Sequence, residues 1–314
     1  MQQVYVHSGG GFGDHLSRYF GWPEWRTLKY IKSQDIHIKA ILYSANSSVP
    51  EFYAFNPYLD DIIFFNVHDN ANGEYRLKDL SNGLKHISET EEYRELMTKI
   101  EEQRIVLDEP EIFLSKDEEE RWEEIQNTGD YICINPFAGQ KERLTLDPKH
   151  TVQLIDKIID TLHKKVVLLG GSWTLTDRHS NLQKKDEQFI EERFEYEREG
   201  LFNLVGKTST RLSTKLSMNA CGYIGNYTGP TLAAWIAKVK TICCVAPAVT
   251  AAGNAPYTVA SWPVLWDLPF NKTIFFSEKT NQEQVINDIL KWLQQGLPCN
   301  RCTLWAPWGI RKIY

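Results

Sequence analysis

Two short segments hold the residues best suited to chemistry. His7-Ser8-Gly9-Gly10-Gly11-Phe12-Gly13-Asp14-His15 follows the apolar run Val4-Tyr5-Val6. Gly225-Asn226-Tyr227-Thr228-Gly229-Pro230-Thr231 follows Cys221-Gly222-Tyr223-Ile224. Each reads as a strand, a tight loop and a helix start, which aims backbone N–H groups and a helix dipole at one spot. Such a spot suits an anion, for instance a phosphate. Gly9, Gly10, Gly11 and Gly13 would let the backbone approach a ligand and adopt positive φ. Their spacing is not the dinucleotide-binding GxGxxG. Asp14, with His7 and His15 flanking the loop, brings an acid or base there, and Asp14 equally suits the cap of a helix starting at His15. Thr228, Gly229 and Thr231 open the second helix, where Pro230 fits the first helical position. Two such loops facing each other across a cleft would hold a phosphorylated donor with an acid or base beside it.

The elements that must position these loops alternate in type. In the first half, strands are expected at 4–6, 36–42, 62–65 and 105–106. Helices are expected at 14–20, around 25–31, at 91–102 with Thr90 as cap, and at 117–125 with Ser115 as cap. The polar stretch 66–86 reads as a long loop. A polar break at Asn127-Thr128-Gly129-Asp130 separates the halves. After it come strands at 131–134, 165–169, 202–205, 222–224 and 241–245, with helices at 148–163, 210–218 and 231–238. The charged segment 186–199 reads as a solvated helix face. Strands separated by helix-length segments imply an α/β protein with parallel sheets, whose ligands sit at the carboxyl ends of the strands. The expected division is a first domain over 1–128 and a second over 129–280. A helix at 283–294 and an aromatic tail complete 281–314, with the option of crossing back to the first domain.

Composition narrows the class. A chain of 314 residues favours two domains, and 42% hydrophobic with 24% charged residues marks a globular protein with ample core. A net charge of −6 without a basic stripe disfavours a nucleic-acid partner. Met1-Gln2-Gln3 leads straight into a strand, with no signal peptide read there. No stretch approaches the roughly 20 apolar residues of a membrane helix. Cys133, Cys221, Cys243 and Cys244 lie in apolar runs as buried thiols, which fits a cytoplasmic protein.

Taken in order, several motifs make the chain resemble the heptosyltransferase-like glycosyltransferases, family nine, of the GT-B fold. They are Gly13-Asp14; Asn56-Pro57-Tyr58-Leu59-Asp60; Asn135-Pro136-Phe137-Ala138-Gly139; Leu168-Leu169-Gly170-Gly171-Ser172; Val205-Gly206-Lys207-Thr208-Ser209; and Thr228-Gly229-Pro230-Thr231-Leu232-Ala233-Ala234. The last departs from the family's pattern, with Tyr227 where the family has Asp and Leu232 where it has His. The resemblance implies two Rossmann-like domains whose parallel sheets face across a cleft, the first on the acceptor side and the second holding a nucleotide sugar.

By the same resemblance, Asp14 takes a proton from an acceptor hydroxyl, which attacks the anomeric carbon in one inverting displacement; His15 is the other catalytic candidate. Thr228, Gly229 and Thr231 would bind the donor diphosphate with N–H groups and hydroxyls, beside Gly11 and Gly13 of the first loop. Lys141 or Arg143 would offset charge on the leaving diphosphate, unless both belong to a solvated charge cluster. Gly171, Ser172, Gly206, Lys207 and Thr208 would bound the nucleoside pocket, or form ordinary strand-to-helix turns. No cofactor is implied beyond the nucleotide-sugar substrate, and no metal. Asp60-Asp61 would point to opposite faces of a strand, and Cys299-Asn300-Arg301-Cys302 lacks a second ligand pair, reading first as a free thiol pair.

The leading expectation is an inverting, metal-independent transferase moving a sugar, ADP-heptose by family, to a glycan or lipopolysaccharide-type acceptor. Lipid-linked and protein acceptors stay open, the latter as protein O-glycosylation. The aromatic cluster Phe52, Tyr53, Phe55 and Tyr58 would serve the acceptor or the core. A lipid acceptor would bring the protein to the inner face of the membrane. The competing readings are sugar-nucleotide epimerisation or hydrolysis on the same fold, and a sugar- or nucleotide-binding protein that has lost catalysis. Oligomeric state is not readable.

Overall fold

The computed structural model describes residues 2–44, 49–66, 73–105, 107–108, 110–137, 146, 148–170, 196–226, 228–245, 270–276 and 279–295, with side chains undescribed for 73–76, 148 and 275. The chain divides into two compact units between Ser115 and Lys116.

Unit 1 holds a parallel sheet in the order β3-β2-β1-β4. Its strands are β1 (Gln3–Gly9), β2 (His37–Ser44), β3 (Asp61–Asn66) and β4 (Lys85–His86). Val4, Val6, Ile38, Ala40, Ile41 and Leu42 are buried, because β1 and β2 are the central strands. The helices are α1 (Phe12–Gly21), α2 (Pro23–Arg26), α3 (Leu28–Ser33), α4 (Val49–Tyr53), α5 (Gly73–Leu80) and α6 (Glu91–Glu101). The Thr90 hydroxyl caps α6 by accepting from the Tyr93 N–H at 3.1 Å. Phe52 and Tyr53 are core: edge-to-face contacts with Tyr19 at 5.3 and 5.6 Å lock α4 onto α1. Phe55 is exposed and Tyr58 packs on Phe113. The Asn56-Pro57 motif is turn chemistry: the Asn56 side chain accepts from the Tyr58 N–H at 3.0 Å. Asp60, at its end, accepts from the Ile38 N–H at 2.8 Å and so pins β3 to β2.

Three expectations fail in this unit. Ile105 lies in no strand; it follows α6 with its side chain exposed. The fourth strand is β4, which has only two residues and therefore no periodicity to read. The stretch 66–86, expected as a loop, contains α5 and β4. The helix expected around 25–31 is two helices, α2 and α3, joined at Thr27.

Unit 2 holds a six-stranded parallel sheet in the order β10-β9-β8-β5-β6-β7. Its strands are β5 (Tyr131–Asn135), β6 (Lys165–Leu168), β7 (Leu201–Asn203), β8 (Gly222–Asn226), β9 (Thr241–Val245) and β10 (Asn271–Phe275). The helices are α7 (Lys116–Gln126), α8 (Pro148–Leu162), α9 (Thr210–Asn219), α10 (Gly229–Ile236) and α11 (Gln282–Gln294). The chain runs outward through β5, β6 and β7, then returns to the other side of β5 as β8, β9 and β10. That is the Rossmann order, with the reversal between β5 and β8. β5, β8 and β9 are buried at every residue, as expected of strands covered on both faces. Leu154 and Ile158 of α8 meet Ile286 and Ile289 of α11 in this core. β10 was not foreseen in the sequence. Cys133, Cys243 and Cys244 are buried thiols; Cys221, just before β8, is half-buried. The polar break at 127–130 falls inside unit 2, between α7 and β5. The tail from 296 lies outside the described residues.

Candidate functional site

In unit 1 the β1–α1 loop presents Asp14. Gly11 is the N-cap of α1, and the Asp14 carboxylate reaches back to accept its N–H at 2.8 Å. The carboxylate is otherwise exposed. Gly10 makes this possible: its φ is +105°, and a Cβ there would lie 2.5 Å from Asp14 Oδ2. The positive φ expected across these glycines is confined to Gly10, because Gly11 has φ −76° and Gly13 lies within the first turn of α1. The carboxylate is thus oriented by the backbone through Oδ2 while the residue stays exposed.

His15 is not exposed. It is fully buried, with Nδ1 3.3 Å from the Tyr53 hydroxyl. Burial lowers its pKa to about 4, and the charge of Arg18 acts in the same direction. It is a neutral packing and orienting group, not a solvent-facing base. His7 is partly buried, and burial followed by the Arg18 charge lowers its pKa. Across the strand pair, His86 sits 5.2 Å from His7, ring to ring. Arg18 and His86 were missed in the sequence. Arg18 carried a signal, since it lies four residues after Asp14 and so on the same helix face.

In unit 2 the switch point lies between the ends of β5 and β8. The Asn226 amide donates to the Pro136 carbonyl at 2.6 Å and ties these ends together. At the β5 end, the Asn135 side chain accepts from the Phe137 N–H at 3.2 Å. α10 starts at the β8 end with Thr228 as N-cap. The hydroxyls of Thr231 and Thr228 both donate to the Asn226 carbonyl, at 2.5 and 3.3 Å. They brace the loop, whereas the sequence reading had them reaching for the ligand. Pro230 has no N–H, and the Leu232 N–H bonds back to the Thr228 carbonyl at 3.4 Å. Gly229 and Thr231 are then the first-turn N–H groups aimed along the helix axis.

Gly206, Lys207 and Thr208 form the turn after β7. The Gly206 N–H donates to the Gly170 carbonyl at 2.8 Å, holding the turn against the end of β6. Lys207 is exposed, with Nζ on the Asn203 carbonyl at 3.2 Å. The Thr208 hydroxyl pairs with Ser213 at 2.7 Å. This turn and the α10 start share the carboxyl edge of one sheet, three strand spacings or about 14 Å apart. Lys141, Arg143, Gly171, Ser172, Tyr227 and the Cys299/Cys302 pair lie outside the described residues. Among the described residues no group of three His, Cys, Asp or Glu side chains could hold a metal ion. No described helix is long and apolar enough to cross a membrane.

No protein-family model matches the sequence, and no curated protein matches it. Solved structures do. The chain is similar to a glycosyl transferase of family 9 from Veillonella parvula, with a TM-score of 0.57 and 12% identity over 94% of this chain and 98% of that one. It is also similar to the E. coli heptosyltransferase WaaC with ADP, with a TM-score of 0.50 and 10% identity over 93% of this chain and 99% of that one. The fold is GT-B. Two Rossmann-like units in one chain, each built on a parallel sheet with helices between its strands, are what the GT-B fold consists of. A GT-B fold does not by itself fix the reaction, which has to be argued from the residues at the two loops.

Proposed function

We propose that this chain is an inverting, metal-independent glycosyltransferase. The observation that carries the reading is Asp14: an exposed carboxylate at a strand end, fixed in direction by the Gly11 N–H at 2.8 Å. In this reading Asp14 accepts the proton of an acceptor hydroxyl. The hydroxyl oxygen bonds to the anomeric carbon as the bond from that carbon to the diphosphate oxygen breaks, and the nucleoside diphosphate leaves. The N-terminus of α10, through Gly229 and Thr231 N–H groups, stabilises the departing charge. Lys141 or Arg143 is the cation this reading assigns to the charge on the leaving diphosphate. Gly206, Lys207 and Thr208, in the turn after β7, are assigned to the nucleoside.

ADP-heptose is the first donor to test, since the E. coli heptosyltransferase is solved with ADP. A glycan of lipopolysaccharide type is the first acceptor, which would place the protein in the cytoplasm, at the membrane's inner face.

A thermal-shift screen against nucleoside diphosphates and their sugars tests the donor site, because a ligand of the native state raises the melting temperature by mass action. Asp14→Asn, which keeps the cap, then tests the chemistry. Turnover falling about 10²- to 10⁴-fold with the nucleotide shift unchanged supports the base role. Equal turnover in both forms refutes it. Nucleotide binding without turnover in the native chain indicates a binding protein that kept the fold.

A further inference from the structure

Near the carboxyl ends of three strands of unit 1, three residues stand abreast. Gly9 of β1 lies opposite Tyr43 of β2, and Tyr43 lies opposite Phe65 of β3. Positions matched in this way share one face of the sheet. Phe65 is buried, and the Tyr43 ring stacks on it with centroids 5.6 Å apart and planes 18° from parallel. On the β1 side Gly9 has no side chain, and the Tyr43 ring leans over it. A Cβ there would lie 1.8 Å from Tyr43 Cε2 and 2.0 Å from Cζ. Tyr43 is half-buried, and its hydroxyl is neither enclosed nor hydrogen-bonded among the described residues.

This aromatic shelf adjoins Asp14. The Gly10 N–H donates to the Tyr43 carbonyl at 3.2 Å, and the Ser44 hydroxyl donates to the Gly10 carbonyl at 2.7 Å. The end of β2 is therefore tied to the loop that presents the carboxylate. Gly9 meets the ring, and the next residue, Gly10, meets Asp14 Oδ2 at 2.5 Å from its Cβ position. With adjacent Cα atoms 3.8 Å apart, the ring edge and the carboxylate are separated by no more than about 11 Å. A ring with an open hydroxyl suits a sugar: its face takes the C–H side of a pyranose, and its O–H exchanges hydrogen bonds with a sugar hydroxyl. Parallel sheets receive ligands at this edge. None of the three shelf residues is charged, and an anionic sugar would meet the like charge of Asp14.

We propose that Tyr43 is a specificity-determining residue that holds a neutral pyranose by stacking and through its hydroxyl, so that this sugar offers a hydroxyl to Asp14. Its being the acceptor rests on the transferase reading; the sugar site is tested without donor or turnover.

Methyl glucoside, methyl galactoside and methyl mannoside are each titrated into the full chain while the aromatic NMR resonances of Tyr43, assigned by their loss in Tyr43→Phe, are followed. Saturable shifts are expected with at least one of the three. In the variants, affinity is read from saturation transfer to the C–H protons of that sugar. It should fall about threefold in Tyr43→Phe, which keeps the ring and loses one hydrogen bond. It should fall about tenfold or more in Tyr43→Ala, which loses both. Melting temperatures check the fold. Should Tyr43→Ala not fold, Tyr43→Leu carries the test with the same expectation. Unmoved Tyr43 resonances with all three sugars, or unchanged affinity in the folded variant, overturn the proposal. Glucuronate binding more than tenfold tighter than methyl glucoside overturns the neutral assignment.

The two readings fail separately. If Asp14→Asn proves as active as the native chain while a sugar still shifts Tyr43, the transferase reading falls and the sugar site stands. If transfer proceeds and Tyr43→Ala leaves the acceptor KM unchanged, the role of Tyr43 falls alone.

Discussion

The side chain of Asn226 donates to the Pro136 carbonyl at 2.6 Å, and the Asn226 carbonyl accepts the Thr231 hydroxyl at 2.5 Å. One residue thus fastens the end of β5, the end of β8 and the first turn of α10. Asn226→Ala leaves the Pro136 carbonyl buried without this donor, at a cost of about 1–3 kcal/mol. The urea midpoint should fall at unchanged slope, and any nucleotide-induced thermal shift should shrink with it.

Gly225 keeps the same loop closed. A Cβ there would lie 2.7 Å from the Tyr223 ring and 2.8 Å from the Thr231 hydroxyl. Gly225→Ala must displace one of them, a strain of about 1–3 kcal/mol. If the melting temperature and ligand response of this variant match the native chain, the loop is looser than its geometry indicates.

His15 makes stability depend on pH. The folded chain holds its pKa at about 4, against 6.5 for an unperturbed histidine. Between these values the unfolded chain binds the extra proton, so stability is complete above pH 6.5 and declines as pH falls toward 4. The shift corresponds to something on the order of 3 kcal/mol. Urea midpoints measured from about pH 7 down to about pH 4.5 should therefore drop more steeply for the native chain than for His15→Gln. His86, also lowered to about 4 by burial and by His7, leaves a residual slope in the variant.

α7 is held to α9 by a two-pronged ion pair, Arg211 Nε and Nη2 on Glu118 at 3.0 and 2.8 Å. The side chains are 8% and 13% exposed. Glu118→Ala leaves the guanidinium buried beside a void, at about 3–5 kcal/mol. Replacing both with Leu should recover most of that loss, and a double variant as unstable as the single one would contradict the assignment.

Local pattern carried the legible part. The β8–α10 loop announced itself through Gly229-Pro230 and the Ala-rich helix behind it, and Gly13-Asp14 through the strand before it. What depends on distance in sequence stayed hidden. Asn226 read as a loop residue because its partner, Pro136, is 90 positions away. His86 read as loop because β4 has two residues. Burial also reversed roles: His15 looked like a flanking polar group, yet the helical period turns it onto Tyr53. The threonine hydroxyls of the α10 loop looked free, and backbone geometry turned them inward.

The strand order of unit 2 also governs how the molecule reaches its native state. β5 pairs with β8, and Ile132 opposite Gly222 must meet across everything made between them. No hairpin can nucleate an all-parallel sheet, so this pairing closes the largest loop at the greatest entropic expense. The two sides of the β5–β8 switch point therefore come together late. Refolding should show β6 and β7 protected from hydrogen exchange before β8, so the switch point is completed only in the last step of folding.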